Sequence, residues 1–156
     1  MVKNIIIRPA RVQESQQLSE LAYRSKSYWG YSSDFMEACR EELRVSEPKI
    51  KSPSLDYYVG ELDGKITGFY ALEYLSKSEF DLEALFVEPD HMGQGIGKQL
   101  ITHAISVAKK AGARSMFIQG DPNAEKFYVS AGAVKVGNRE SGSIPGRFLP
   151  EFRITL

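Results

Sequence analysis

The sequence predicts one mixed α+β domain, α/β in broad class, in which a mostly antiparallel central sheet is flanked by helices. Two strand-like runs, Leu55 to Leu62 and Lys65 to Leu75, are joined by Asp63-Gly64, a dipeptide suited to the positive φ angles of a tight hairpin. Between Glu79 and Gln119 a strand run, a glycine cluster, an amphipathic stretch and a second strand run follow one another, the unit that a parallel strand pair requires. At 156 residues, with 42% apolar and 26% charged side chains, the chain fills one core and leaves no room for a second full-sized domain, so the expected domain spans residues 1–156.

Taken in order, Asn4 to Arg8 read as a β-branched strand closed by Pro9, and Leu18, Leu21, Ala22 and Ser25 then recur at helical spacing. Gly30 is the expected stop of that helix. Ser33 or Asp34 is the expected cap of the next, which runs to about Arg44 with Phe35, Met36, Cys39 and Leu43 on one face. Val45 to Ser54 form an exposed connection with room for a helical turn, and the hairpin follows. Glu79 to Val87 alternate as far as Glu83 and are wholly apolar beyond it, which marks a strand end that is buried on both faces or bulged.

Ile96, Leu100, Ile101, Ala104, Ile105 and Ala108 form the apolar stripe of a helix ending at Ala111-Gly112, and Ser115 to Gln119 is the next strand. Asp121-Pro122 caps and opens a further helix, with Ala124, Phe127, Tyr128 and Ala131 inward and Gly132 as its stop. Ala133 to Arg139 and Glu151 to Leu156 are the last strands, on either side of a loop from Glu140 to Pro150 rich in Gly, Ser and Pro. The order is β-α-α-β-β-β-α-β-α-β-β.

Composition narrows the function. Lys plus Arg equals Asp plus Glu at 20 each, so the overall charge favours neither nucleic acid nor a membrane as partner. The longest apolar runs fall far short of the roughly 18 to 20 residues of a membrane span. The start MVKNIIIRPA lacks the apolar core of a signal peptide, so a cytoplasmic location is expected. One cysteine and two histidines support neither a disulfide framework nor a structural metal; Cys39 fits a small buried apolar position, and His91 and His103 carry no assigned role.

The chemistry concentrates between Leu85 and Lys98. Glycines at 93, 95 and 97 remove the β-carbons that would block close approach, and leave backbone N–H groups at the positive end of a helix for an anion, with Lys98 adding a charge. The spacing is neither the dinucleotide fingerprint nor the Walker pattern, which argues against NAD and ATP.

Here the sequence resembles the GNAT acetyltransferase superfamily, whose acyl-CoA site reads L-x-V-x-P, then after a few residues [QR]-x-x-G-x-[GA]. Leu85-Phe86-Val87-Glu88-Pro89 and Gly95-Ile96-Gly97 fit, while Met92 stands in place of the usual Gln or Arg. A second segment, Asp121 to Ala133, is similar to N-x-x-A-x-x-[FY]-Y-x-x-x-G-[FA], shifted by one at the alanine. Trp29-Gly30-Tyr31 and the loop carrying Arg147 resemble a bacterial-type group within that superfamily.

The resemblance implies an acetyl-CoA-dependent N-acetyltransferase with no metal, in which a primary amine of a small molecule attacks the acetyl group directly. Acetyl-CoA would be held by Leu85, Phe86, Val87, Met92, Gly93, Gln94, Gly95, Ile96, Gly97, Lys98, Asn123 and Phe127. Affinity should be weakened rather than abolished by Met92, because phosphate binding in such a loop is mainly a backbone affair. N–H groups around Phe86 and Val87 would orient the thioester, and Tyr128 would protonate the leaving thiolate. Glu83 is the candidate base, the alternatives being Glu73 or a solvent-facing role for Glu83. Trp29 and Tyr31 either line the acceptor pocket or plug the helix pair against the sheet, and Arg147 either binds an acceptor carboxylate or phosphate, pairs with an acidic residue or makes a dimer contact. Partners implied are the small amine and, dimers being common among relatives, a second copy of the chain. A protein acceptor and a non-catalytic acyl-CoA-binding module are the alternative readings.

Overall fold

The computed structural model describes residues 2–156. Seven strands form one sheet: β1 (Ile6–Pro9), β2 (Leu55–Leu62), β3 (Lys65–Tyr74), β4 (Glu79–Val87), β5 (Ser115–Gln119), β6 (Val134–Glu140) and β7 (Phe148–Thr155). Their spatial order is β1-β2-β3-β4-β5-β7-β6, and every neighbouring pair is antiparallel except β4 and β5. Five helices cover it: α1 (Ser15–Ser27), α2 (Ser33–Leu43), α3 (Glu47–Lys51), α4 (Ile96–Lys110) and α5 (Glu125–Ser130). None of the helices is long and apolar enough to cross a membrane.

Strand pleating divides the interior in two. Along β3, Tyr70 and Leu72 pack beneath α4 with Leu100, Ile101 and Ala104, while Phe69 and Ala71 face α1 and meet Leu18, Leu21 and Ala22. The helical stripe on α4 and the inward face of α1 fall as the sequence periodicity indicates. Gly60 and Gly68 let α4 press onto the sheet, since a β-carbon on Gly68 would lie 2.9 Å from both Leu100 Cδ1 and the Phe86 carbonyl oxygen. The hairpin turn at Asp63-Gly64 has both residues at positive φ, 53° and 78°.

Some boundaries differ from the sequence reading, each for a local reason. The first strand begins at Ile6 rather than Asn4, because the Lys3 N–H donates to the Gln94 carbonyl and the Ile5 N–H to Gln99 Oε1, which draws this segment to the glycine loop instead of β2. Ser32, not Ser33 or Asp34, caps α2, its side chain accepting from the Phe35 N–H. The last strand starts at Phe148 rather than Glu151; Pro150 is tolerated there because it joins the ladder through its carbonyl, which accepts from the Gly120 N–H at 3.0 Å, a bond that needs no N–H of its own. The ambiguity at the end of Glu79–Val87 resolves as a bulge: Ala71 pairs with Ala84 but Leu72 with Leu82, leaving Glu83 as the extra residue. Phe80 and Leu82 therefore pack toward α4, as do Leu85 and Val87, whereas Ala84 and Phe86 pack toward α1.

The tight approach at Gly68 generates a stability prediction. Gly68→Ala must displace backbone as well as Leu100, and should cost about 1–3 kcal/mol, lowering the melting temperature by about 3–10 °C in a circular-dichroism melt.

Candidate active site

Parallel pairing between β4 and β5 runs only from Glu79 with Ser115 to Leu82 with Ile118. Beyond that point the two strands part, and a cleft of about 500 Å³ opens between them. The Glu88 N–H donates to the Thr67 carbonyl, so by antiparallel alternation Phe86 and Ala84 also bond toward β3, while the peptide groups of Leu85 and Val87 face the side that β5 has vacated. The N–H groups offered to the cleft are thus those of Leu85 and Val87, not of Phe86 as the sequence reading had it.

At the mouth of the cleft lies the glycine loop. Gly93 and Gly95 take φ of 78° and 81°, a left-handed conformation that L side chains rarely adopt, and Gly95 immediately precedes the first turn of α4. The backbone N–H groups of residues 93 to 98 have no hydrogen-bond partner among the described residues. Six successive free donors at a helix N-terminus make a concave anion nest. Gly97 lets Phe127 pack close beside it, since a β-carbon there would lie 3.2 Å from the Phe127 ring. Met92, Gly93, Gly95, Ile96, Gly97 and Lys98 all border the cleft. Gln94 does not: its side chain meets His91 Nδ1 and its carbonyl accepts from Lys3.

Asp121 and Pro122 open a turn of 3-10 helix that leads into α5, and α5 carries Phe127 and Tyr128 to the cleft opposite β4. Tyr128 is seated by Phe152 and by Gly120, where a β-carbon would lie 2.8 Å from its ring. Its hydroxyl has no hydrogen-bond partner among the described residues, although the residue is 93% buried. Burial, aided by the charge of Asp121, pushes the phenol well above its ordinary pKa, so it stays protonated at neutral pH.

The wall beneath α1 and α2 is acidic. Glu73 and Asp81 are cross-strand neighbours, and with the bulged Glu83 they bring three carboxylates within 4.8 Å of one another. Glu83 is itself exposed to solvent, as its solvent-facing alternative had it, yet partial desolvation first and then the charges of Asp81 and Glu73 raise its pKa. Asp81 is pushed up to about 6 by burial and by Glu73 and Glu151, against the opposing pull of Arg139. Burial and the charges of Glu83 and Glu73 raise the nearby Tyr57 to about 12.

On the far side, Asp121 gathers a polar network that the sequence showed only as a helix cap. Its Oδ2 accepts from the Tyr31 hydroxyl at 2.7 Å and from Lys26 Nζ at 3.2 Å, and its Oδ1 accepts from the N–H and the Nδ2 of Asn123. Burial alone would raise this carboxyl, but the Asn123 N–H, Tyr31 and Lys26 hold it below the usual carboxylate value. Arg147 donates to the Tyr31 hydroxyl at 2.9 Å and lies 3.7 Å from Asp121, so it does pair with an acidic residue. Tyr31 stacks on Phe35 behind the cleft rather than lining it, whereas Trp29 borders the cleft and is 43% exposed. Lys26, Asp81 and Asp121 were missed as site residues because their side-chain partners lie far off in sequence, as Asp121 from Lys26 at 95 positions and from Tyr31 at 90, or across a strand pair.

A run of unpartnered N–H groups thus opens onto a split between two parallel strands that is bordered by a phenol and carboxylates, within an α+β domain. Residues 16–133 match the model of the Acetyltransferase (GNAT) family, and the chain belongs to that family. It is 29% identical over 120 residues to an uncharacterized N-acetyltransferase of Methanocaldococcus jannaschii, covering 73% of this chain and 52% of that protein. It is 38% identical over 69 residues to phosphinothricin N-acetyltransferase of Alcaligenes faecalis, covering 42% and 35%. The chain thus spans about half or less of the length of these curated relatives. Among solved structures, PaiA N-acetyltransferase of Thermoplasma acidophilum in complex with coenzyme A superposes with a TM-score of 0.79 at 18% identity, over 99% of this chain and 100% of that one.

The acidic wall carries a measurable cost. Asp81 titrates near 6 when folded against 3.8 as an ordinary carboxyl, so its ionised form destabilises the fold at pH values above about 6, and the effect vanishes below 3.8. Asp81→Asn should therefore gain about 1–2 kcal/mol at pH 7.5, with a gain that shrinks as the pH falls toward 5, read from paired thermal melts across that range.

Proposed function

We propose that the chain is an acetyl-CoA-dependent N-acetyltransferase acting on a primary amine of a small molecule. The observation that carries this reading is the juxtaposition of six unpartnered N–H groups with a strand split that contains a neutral tyrosine and raised carboxyls. The fit to a pyrophosphate-bearing acyl carrier rests on the nest itself, beside which a β-carbon at Gly97 would crowd the Phe127 ring at 3.2 Å. The coenzyme A complex of the PaiA relative supports the same cosubstrate, and the phosphinothricin enzyme's name supports a small acceptor.

When bound, acetyl-CoA supplies an activated acyl thioester. The residues from Gly93 to Lys98 hold phosphate oxygens with backbone donors and the α4 dipole, a role that Met92 in place of Gln or Arg leaves to the main chain. The Leu85 and Val87 N–H groups orient the acyl carbonyl and stabilise charge on its oxygen. An alkylammonium, with a pKa of about 10, cannot attack until it loses a proton, and Glu83, raised by partial desolvation and its neighbours, accepts it directly or through water. As the amine nitrogen bonds to the acyl carbon and the carbon–sulfur bond breaks, Tyr128 gives its proton to sulfur and regains one from the nitrogen, which sheds its second proton in becoming an amide. Asn123 and Phe127 lie on the α5 side of the same cleft, where they flank the carrier arm.

Two outcomes are expected. Acetyl-CoA at about 100 times its Kd should raise the melting temperature, a stabilisation of about 2.7 kcal/mol, whereas NAD and ATP should not, and Gly95→Glu should abolish the shift. Tyr128→Phe should lower kcat by about 10- to 100-fold while leaving the acetyl-CoA KM within about twofold. Unchanged kcat would remove Tyr128 from the chemistry, and equal stabilisation by ATP would remove the assignment of the nest.

A further inference from the structure

The α1–α2 side of the cleft carries two poles of opposite charge. On β3 and β4, Asp81 Oδ1 is buried with no hydrogen-bond partner among the described residues, inside the cluster that Asp81 forms with Glu73 and Glu83. Glu73 and Asp81 stand directly opposite each other in the strand register, an arrangement that repels itself. Lys49 and Arg139 also border the cleft near this wall, but Arg139 is paired with Glu151. The unmet need at this pole is for a cation with several donors, which is what an ammonium provides.

At the other pole, Lys26 and Arg147 share a single counter-charge, Asp121 Oδ2, at 3.2 and 3.7 Å. Asp121 is the one carboxylate within ion-pair distance of either cation among the described residues, Glu42 also bordering the cleft, and the two cationic side chains are only 14% and 18% exposed. Arg147 uses Nη2 on the Tyr31 hydroxyl and lies 4.8 Å over the Phe35 ring, which holds the guanidinium in place. Its Nε and Nη1 donors have no hydrogen-bond partner among the described residues, so each remains free to donate to a carboxylate oxygen.

We infer, resting on the acetyltransferase reading above, that the acceptor is a zwitterion of amino-acid type, its carboxylate held by Arg147 and Lys26 and its amine delivered to the wall of Asp81 and Glu83. A simple amine answers only one pole, and a polycation meets repulsion at Lys26 and Arg147. Two-point capture also fixes direction, because only one orientation places the amine beside the raised carboxyl of Glu83.

The test is acceptor kinetics at saturating acetyl-CoA with a panel of L-amino acids, each run beside its own carboxamide. Carboxamide amines are less basic and more fully deprotonated at neutral pH, so intrinsic reactivity favours them and a preference for the acid reports charge recognition. At least one amino acid should exceed its carboxamide by about tenfold or more in kcat/KM. Arg147→Gln and Lys26→Gln should each raise the KM of that acid by about tenfold and bring the ratio toward one, with the acetyl-CoA KM unchanged within about twofold. If Lys26→Gln loses its melting transition, Arg147→Gln, on a loop, decides alone. Carboxamides turned over as well as acids, or a rise confined to the acetyl-CoA KM, would overturn the zwitterion assignment and leave the enzyme reading intact. Stabilisation by acetyl-CoA with no turnover of any acceptor would instead overturn the enzyme reading, and this inference with it.

Discussion

Every element of the candidate site depends on one interruption of hydrogen bonding: β4 and β5 stop pairing at Leu82 and Ile118 while both chains continue. Unpaired peptide groups inside a protein are costly unless something else satisfies them, so a split in the middle of a sheet persists only where a ligand or solvent takes the missing partner's place. The two strands diverge because different layers pull on them. Beyond Leu82, β4 follows β3 as far as Val87 and delivers the chain to the glycine loop, whereas β5 ends at Gln119 and turns, through Gly120 and the Asp121 cap, into α5. The cleft is the gap between those trajectories.

That geometry explains why the two ends of the cleft differ in character. The end at α4 is built from backbone: positive-φ glycines and free N–H groups, with little contribution from side-chain identity. The end beneath α1 and α2 is built from side chains, and its polar groups come from five separate segments that meet only in the folded state. Chemistry that is common to a fold is well served by main-chain donors, which no substitution but proline removes. Chemistry peculiar to one acceptor belongs on side chains, where it can vary without disturbing the strands.

The same division sets what was legible in the sequence. The Asp63-Gly64 hairpin, the α4 stripe, the 79–87 strand and the Asp121-Pro122 cap all rest on local chemistry, and all stand where the residues indicated. The glycine loop was legible for the same reason. Insertion of β7 between β5 and β6 was not, because nothing local distinguishes an inner strand from an edge strand when Pro150 sits in it. Nor was the grouping of Lys26, Tyr31, Asp121 and Arg147, whose members are joined only by tertiary contacts. The loss of alternation after Glu83 was visible, but it was compatible with two structures, and the choice between them depended on the register of β3.

The bulge at Glu83 gives β4 two reading frames. Upstream of it the even-numbered side chains, Phe80 and Leu82, belong to the α4 layer; downstream the odd-numbered ones, Leu85 and Val87, do. An exchange of one aliphatic residue for another within either half leaves the frame intact. Loss or gain of a single residue between the bulge and Pro89 shifts it, driving Phe86 toward α4 and turning the peptide groups of Leu85 and Val87 from the cleft into the sheet. The length of this short segment is therefore held more tightly than its composition, and natural variation within it should consist of substitutions, with insertions and deletions displaced into the loops on either side.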